Sequence, residues 1–327
     1  RAWRRPSVES APAQRLRNGH CRRSPGGARL DSSTARSRRT NVHLCARWCA
    51  HAAAPVCCWG GLGSSPGPGV LLPDDEGAMT MDLTDKTAVI TGASRGLGAG
   101  LAARFLERGL RVAACARHRP QLAGDAASLL TQAADVTDAE AMAQLCAEAV
   151  ARFGRVDLWI NNAGLLAPIG PLHENDPAQV ALHVQVNVTG VFNGSRAFIR
   201  HVHARGGDGV LLNISSGAAR NAYAGWSAYC AGKAAVERMS EAIALEQADG
   251  GVRVHAVAPG IIDTEMQALI RSCSPEQFPR VQKFLDFKAR DAFSSPAFVA
   301  DRMLELAFDP VTAADAPVLT TLPLEHG

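Results

Sequence analysis

From Lys86 onward the chain alternates short apolar runs with longer helical stretches. The run Thr87 to Ile90 leads into a glycine-rich turn, then a helix from near Gly96 to about Arg108, then a second run from Arg111 to Ala116. Further runs follow at Val156 to Ile160, Val210 to Ile214 and Val252 to Val257. One long helix precedes Val210, and another carries Ser227-Ala228-Tyr229 and extends to about Ala248. Strands and helices in strict alternation predict an α/β fold: one domain built on a doubly wound parallel sheet with helices on both faces.

Residues 1–80 break this pattern. They show neither helical nor strand periodicity, only Arg, Pro, Gly, Ser and Cys in no repeating order. Three readings compete. A transit peptide would be Arg- and Ser-rich and poor in acids, but the Pro, Gly and Cys content spoils an amphipathic helix. Cys45, Cys49, His43 and His51 could form a metal cluster, yet no strand-turn-helix pattern flanks them. The favoured expectation is an unstructured leader, upstream DNA read in frame. Glu76-Gly77-Ala78 can be encoded by a purine-rich stretch resembling a ribosome-binding site ahead of Met81. The catalytic domain is then expected to span 81–327.

Charge follows the same division. The leader holds twelve Arg and no Lys against five acids, a formal +7, so the net +3 of the whole chain leaves the remainder at −4. The overall basicity therefore belongs to the leader and gives no reason to expect nucleic-acid binding by the folded part. No run of eighteen or more apolar residues occurs, so no membrane span is expected. Cys115, Cys146, Cys230 and Cys273 lie scattered without metal-ligand spacing, which suits reduced thiols in a cytoplasmic protein and no metal site.

The turn after the first strand is Thr91-Gly92-Ala93-Ser94-Arg95-Gly96-Leu97-Gly98. Its glycines let the backbone turn sharply, let a pyrophosphate approach without a Cβ in the way, and let the helix pack close to the sheet. The helix start then offers free N–H groups and a positive dipole end to phosphates. At the end of the second strand an NAD enzyme places Asp or Glu, which holds the ribose hydroxyls and repels a 2′-phosphate. Here Ala116 stands there, followed by Arg117, with Arg95 as a second cation in the turn. Two guanidiniums without an opposing acid favour NADPH/NADP+.

The second constellation is Tyr229-Cys230-Ala231-Gly232-Lys233. Residues four apart share a helical face, so phenol and ammonium can point into one site, and the ammonium is expected to lower the tyrosine pKa. The chain has only two tyrosines and four lysines, which makes the spacing informative. Ser216, at the end of the apolar run Val210 to Ile214, with its neighbour Ser215 as the alternative, and Asn187, in the preceding long helix, are further polar candidates. An Asn in mid-helix has poor propensity, so either a functional reason or a local kink is expected.

These motifs, in this order, resemble the short-chain dehydrogenase/reductase family across residues 84–327, which implies a Rossmann-like fold. The resemblance implies that Asp135, before Val136, contacts the adenine and that Asn162-Ala163-Gly164, after Asn161, shapes the nucleotide floor. It further implies that Lys233 grips the nicotinamide ribose, that Asn187 orders a water, and that Pro259-Gly260, the Ile262 backbone and Thr264 flank the nicotinamide. Reduction of a small-molecule carbonyl is then expected, with hydride passing to the carbon, Tyr229 protonating the oxygen and Ser216 holding it. The segment from Thr264 to about Arg302 is expected to form a substrate lid. Its wording, including Pro275-Glu276-Gln277-Phe278-Pro279, resembles the sepiapterin reductase and benzil reductase branch, whose members reduce vicinal dicarbonyls. The C-terminal Val318 to Glu325 lacks a convincing equivalent of the aspartate that anchors a pterin, which favours a hydrophobic diketone. Leu165, Leu166, Tyr223, Trp226, Met266 and Ile270 are the apolar candidates to meet it. A 3-oxoacyl-carrier-protein reductase or an alcohol dehydrogenase of the same family is the alternative, and a catalytically idle NADPH-binding module the non-enzymatic one. The resemblance also implies a homodimer or homotetramer.

Overall fold

A computed structural model describes residues 81–326, and the expected leader lies outside the described residues. The chain runs β1 (Thr87–Thr91), α1 (Gly96–Glu107), β2 (Arg111–Ala116), β3 (Leu129–Ala133), α2 (Ala139–Phe153) and β4 (Leu158–Asn161). It continues through α3 (Pro177–Val184), α4 (Gly190–Arg205), β5 (Gly209–Ile214), α5 (Ser227–Glu246) and β6 (Val252–Ala258). Last come α6 (Glu265–Arg271), α7 (Val281–Ala289), α8 (Pro296–Phe308), α9 (Pro310–Ala314) and β7 (Leu319–Thr321).

The seven strands form one parallel sheet in the order β3-β2-β1-β4-β5-β6-β7. Every residue of β1, β4 and β5 is buried, because helices cover both faces, and their apolar runs are correspondingly little interrupted. Ala88, Ile90, Leu158 and Ile160 face Leu101 and Phe105 of α1 and Met303 and Leu304 of α8. The alternate residues Val89, Trp159 and Leu211 face Met142 and Leu145 of α2 and Phe198 of α4. A third apolar cluster sits apart from these two, built from Trp226 and from Phe278, Val281 and Phe284 of the segment expected to form the lid. Among the described residues no helix is long and apolar enough to cross a membrane.

Two expected elements differ in detail. The fourth strand starts at Leu158 rather than Val156, since Asp157 beside it is a buried carboxylate that accepts the Thr87 N–H at 3.0 Å and pairs with Arg155. The long helix expected around Asn187 is three pieces. Asp176 caps α3 by accepting the Ala178 N–H, with Pro177 as its first residue. A π-helical turn, Gln185–Thr189, then separates α3 from α4, closed by the Gly190 N–H donating to the Gln185 carbonyl. The kink thus falls on Asn187 itself, and π turns of this kind concentrate at functional positions.

The strand order reverses direction between β1 and β4. In open α/β sheets, ligands bind outside the carboxyl ends of the strands at that point. The glycine turn follows β1 there, and Asn162-Ala163-Gly164 follows β4.

Candidate active site

The glycine turn and the end of β4 are sewn together. Thr91 Oγ1 accepts the N–H groups of Asn162 and Ala163 at 3.0 and 3.1 Å, and Asn162 Nδ2 donates to the carbonyls of Thr91 and Gly92 at 2.9 and 3.1 Å. Gly92, at φ +67, has room for no side chain: a Cβ would stand 2.7 Å from the Ala163 Cα. A Cβ on Gly98 would stand 2.5 Å from both Asn162 Nδ2 and the Gly92 carbonyl oxygen. At the rim, Gly96, at φ +56, lies against Thr264, whose Cγ2 is 3.2 Å from where a Cβ would be. Ser94 and Arg95 are exposed and Leu97 is half-buried.

The residues present fit a dinucleotide. Where α2, α3 and α8 each begin with an Asp or Ser side chain accepting backbone N–H groups, α1 has no side-chain cap and no acid in its first turn. Its first N–H groups therefore suit a pyrophosphate. Ala116 ends β2, and the exposed Arg117 after it forms no ion pair among the described residues. Arg95 departs from expectation: it does face an acid, pairing with Glu265 of α6, both side chains 66% exposed. A surface pair of this kind is weak, about 0–1 kcal/mol.

Asp135 is exposed and caps no helix. Its carboxylate accepts the N–H and hydroxyl of Thr137, both at 2.9 Å, while Asp138 caps α2. The Val136 side chain packs on Gly190 and its carbonyl accepts from Asn193. Pro259 is buried, Gly260 turns the chain at φ +82, and the Ile262 side chain joins the core.

The candidate catalytic residues converge at the carboxyl ends of β4 and β5. Tyr229 and Lys233 stand on one face of α5, 7% and 6% exposed. Asn187 Oδ1 accepts the Leu165 N–H at 2.7 Å and its Nδ2 donates to the Leu165 carbonyl at 2.8 Å. A Cβ on Gly164 would lie 3.5 Å from that Oδ1 and 3.9 Å from Lys233 Nζ, so Gly164, Asn187 and Lys233 meet at one point. The Ser216 hydroxyl accepts the Ala218 N–H at 3.2 Å and draws the Tyr229 phenol pKa downward.

The electrostatics differ from the expected pairing. Burial pushes the Tyr229 phenol above its ordinary value, opposed only by the Ser216 hydroxyl. Lys233 does not lower it here: Nζ lies 5.8 Å from the ring centroid and donates to the Ile214 carbonyl at 2.7 Å. Burial instead pulls the Lys233 amine down to about 8.

Of the six apolar candidates, Leu166, Trp226 and Ile270 are packing residues, 3%, 4% and 2% exposed within the lid cluster. Leu165, Tyr223 and Met266 remain half-exposed. Trp226 stacks on Phe278 of the lid at 4.4 Å and 12° and stands edge-on to Tyr229 at 5.5 Å, so lid packing and phenol position are linked. Two residues beside the site went unread in the sequence. Glu237, one turn beyond Lys233, is buried and holds Ser215, next to Ser216, by accepting from its hydroxyl at 2.9 Å and from Arg220 Nε at 3.1 Å. The continued four-residue spacing from Tyr229 and Lys233 was the available signal. His183, four residues before Asn187, is the other.

Residues 86–274 match the family model for short chain dehydrogenases. Over 226 residues the chain is 34% identical to benzil reductase ((S)-benzoin forming) of Bacillus subtilis, an alignment covering 67% of this chain and 91% of that protein. It is 34% identical to 2-(R)-hydroxypropyl-CoM dehydrogenase of Xanthobacter autotrophicus, covering 72% and 96%. Among solved structures, 3-ketoacyl-(acyl-carrier-protein) reductase from Brucella melitensis complexed with NADH superposes with a TM-score of 0.63 at 29% identity, covering 73% of this chain and 97% of that one. Alongside the parallel sheet, the uncapped α1 and the Tyr229–Lys233 face, these matches show that the chain belongs to the short-chain dehydrogenase/reductase family, oxidoreductases that act on CH–OH and C=O groups and bind a nicotinamide cofactor.

Proposed function

We propose that the chain is an NADPH-dependent carbonyl reductase acting on a vicinal diketone or related dicarbonyl, with Tyr229 as proton donor. The observation that carries this reading is the convergence of Tyr229, Ser216, Lys233 and Asn187 beside an uncapped helix N-terminus. When bound, the cofactor supplies hydride for the carbonyl carbon. A phenol held above its ordinary pKa by burial is protonated at neutral pH, the form that donation to the carbonyl oxygen needs. Ser216 holds that oxygen. Lys233 spends one N–H on Ile214, which leaves two for a ribose hydroxyl.

The unpaired Arg117 after Ala116 supports NADPH over NADH, and Glu265 competes with the cofactor for Arg95. Ala116→Asp is expected to reverse the preference, lowering kcat/KM for NADPH about 10- to 100-fold through repulsion of the 2′-phosphate. Glu265→Gln is expected to tighten NADPH by up to about fivefold. Initial rates with both cofactors check each.

The aromatic lid cluster, with half-exposed Leu165, Tyr223 and Met266, supports an apolar dicarbonyl, as do benzil reductases at 34% and 30% identity. The Brucella structure favours a 3-oxoacyl thioester as the second reading. NADPH oxidation by the protein with benzil, a small aliphatic diketone, sepiapterin and a 3-oxoacyl thioester tests the choice. Diketone turnover lost in Tyr229→Phe is expected; thioester turnover alone overturns the diketone assignment. No turnover despite tight NADPH binding would leave the idle binding module. We also propose a cytoplasmic homodimer or homotetramer. Its supports are the free thiols of the four cysteines among the described residues and the exposed Leu182, Val184 and Phe192 along the α3–α4 ridge; light scattering checks the mass.

A further inference from the structure

His183 lies in the last turn of α3, four residues before Asn187, and is wholly buried. Its Nδ1 lies 2.8 Å from the Ala167 carbonyl oxygen and its Nε2 lies 2.9 Å from Asn187 Nδ2. The ring stands edge-on to Tyr229, centroids 6.1 Å apart at 79°. A Cβ on Gly232 would come within 2.9 Å of Nε2, so the glycine inside the Tyr229-to-Lys233 spacing is the room the imidazole needs.

These contacts allow one arrangement of protons. A carbonyl oxygen can only accept, so Nδ1 carries the hydrogen and Nε2 presents a lone pair. That lone pair accepts from Asn187 Nδ2, which turns Asn187 Oδ1 toward the Leu165 N–H and lets Nδ2 also donate to the Leu165 carbonyl. A proton gained at Nε2 would point at the Asn187 amide N–H. The amide would then have to flip, setting its NH2 against the Leu165 N–H and releasing the loop that follows Gly164.

From the functional reading above, we infer that His183 is a positioning residue for the reduction: as a neutral imidazole it locks the Asn187 amide, and through it the Leu165 backbone, and on protonation it unlocks them. The titratable groups facing it are Tyr229 and Lys233, both on α5; the loop offers the Ala167 carbonyl and the π turn the uncharged Asn187. Burial and the Lys233 charge both hold the imidazole below its ordinary value of 6.5.

Imidazole nitrogen NMR of the whole protein tests the lock without using turnover. A neutral His183 with hydrogen on Nδ1 at pH 7 is expected; a hydrogen on Nε2, or a charged ring at pH 7, overturns it. Kinetics on the carbonyl substrate test its consequence. His183→Phe, which keeps shape but not acceptor, is expected to lower kcat about 10- to 100-fold, the scale of a small misplacement at a reacting centre. His183→Gln can still accept from Asn187 and has no proton to gain, so it should retain kcat within several-fold and lose the acid limb of the kcat/KM profile. Equal kcat in the two variants, or an acid limb unchanged in His183→Gln, overturns the proposal. Failure of carbonyl turnover in the wild type would count against the functional reading alone, since the NMR result stands apart from it.

Discussion

Lys233 carries a cost that its position explains. An amine 6% exposed, with the Ile214 carbonyl as its partner, is poorly solvated as an ammonium, and its pKa falls to about 8 from 10.5. The unfolded chain therefore binds more protons between those values, and stability attributable to this group rises with pH across that window. Below about pH 8 the penalty is present in full, on the order of 3 kcal/mol for a shift of this size. Lys233→Met is expected to compare best with the wild type at pH 7 and to lose that relative advantage by pH 10, in denaturant titrations at both pH values. Its reductase activity is expected to vanish, because the ribose contact proposed for Lys233 needs the ammonium N–H groups. Tyr229→Phe removes only the phenol oxygen; kcat is expected to fall about 100- to 10,000-fold, the range for a lost general acid, with NADPH affinity kept. Both lie on the Tyr-x-x-x-Lys face that the spacing alone located. What spacing could not supply was the sign of the Tyr229 shift, which depends on how deeply the phenol is covered.

At the scale of elements, Asn161-Asn162-Ala163-Gly164 divides its labour in a way its letters do not show. Asn162 joins β4 to the glycine turn, whereas Asn161 points into the core and ties β4 to α4 and β5. It accepts from Trp159 Nε1 at 2.9 Å and donates to Ser195 Oγ at 3.1 Å and Asn213 Oδ1 at 2.8 Å, and Asn213 donates onward to Ser240 of α5 at 2.9 Å. Asn161→Leu leaves buried donors and acceptors unpaired at several of these points, and each costs about 1–3 kcal/mol; a large drop in Tm is the expected result. Gly98→Ala acts on the neighbouring joint. Its methyl would stand 2.5 Å from the Gly92 carbonyl oxygen, a backbone atom that cannot swing aside. The α1 N-terminus must shift from the sheet, so NADPH affinity measured by calorimetry is expected to fall along with Tm.

For the molecule as a whole, the sheet order places every proposed site residue at one end of the strands, while the lid from Thr264 to Arg302 folds into α6, α7 and the start of α8 over the aromatic cluster. A chain begun at Met81 is expected to match the full chain in Tm and kcat, since the alternation of strands and helices begins only at Lys86; thermal unfolding and NADPH oxidation check both. The sequence by itself determined the strand and helix order, the glycine turn and the Tyr229–Lys233 face, because these are local: each depends on φ/ψ needs, period or spacing within a few residues. Tertiary structure alone decided that Arg95 meets Glu265, that Trp226, Leu166 and Ile270 are packing rather than pocket, and that His183 meets Asn187 and Tyr229. Those facts depend on which side chains are brought together across the fold and how far each is removed from water, and no pattern of neighbours along the chain encodes either.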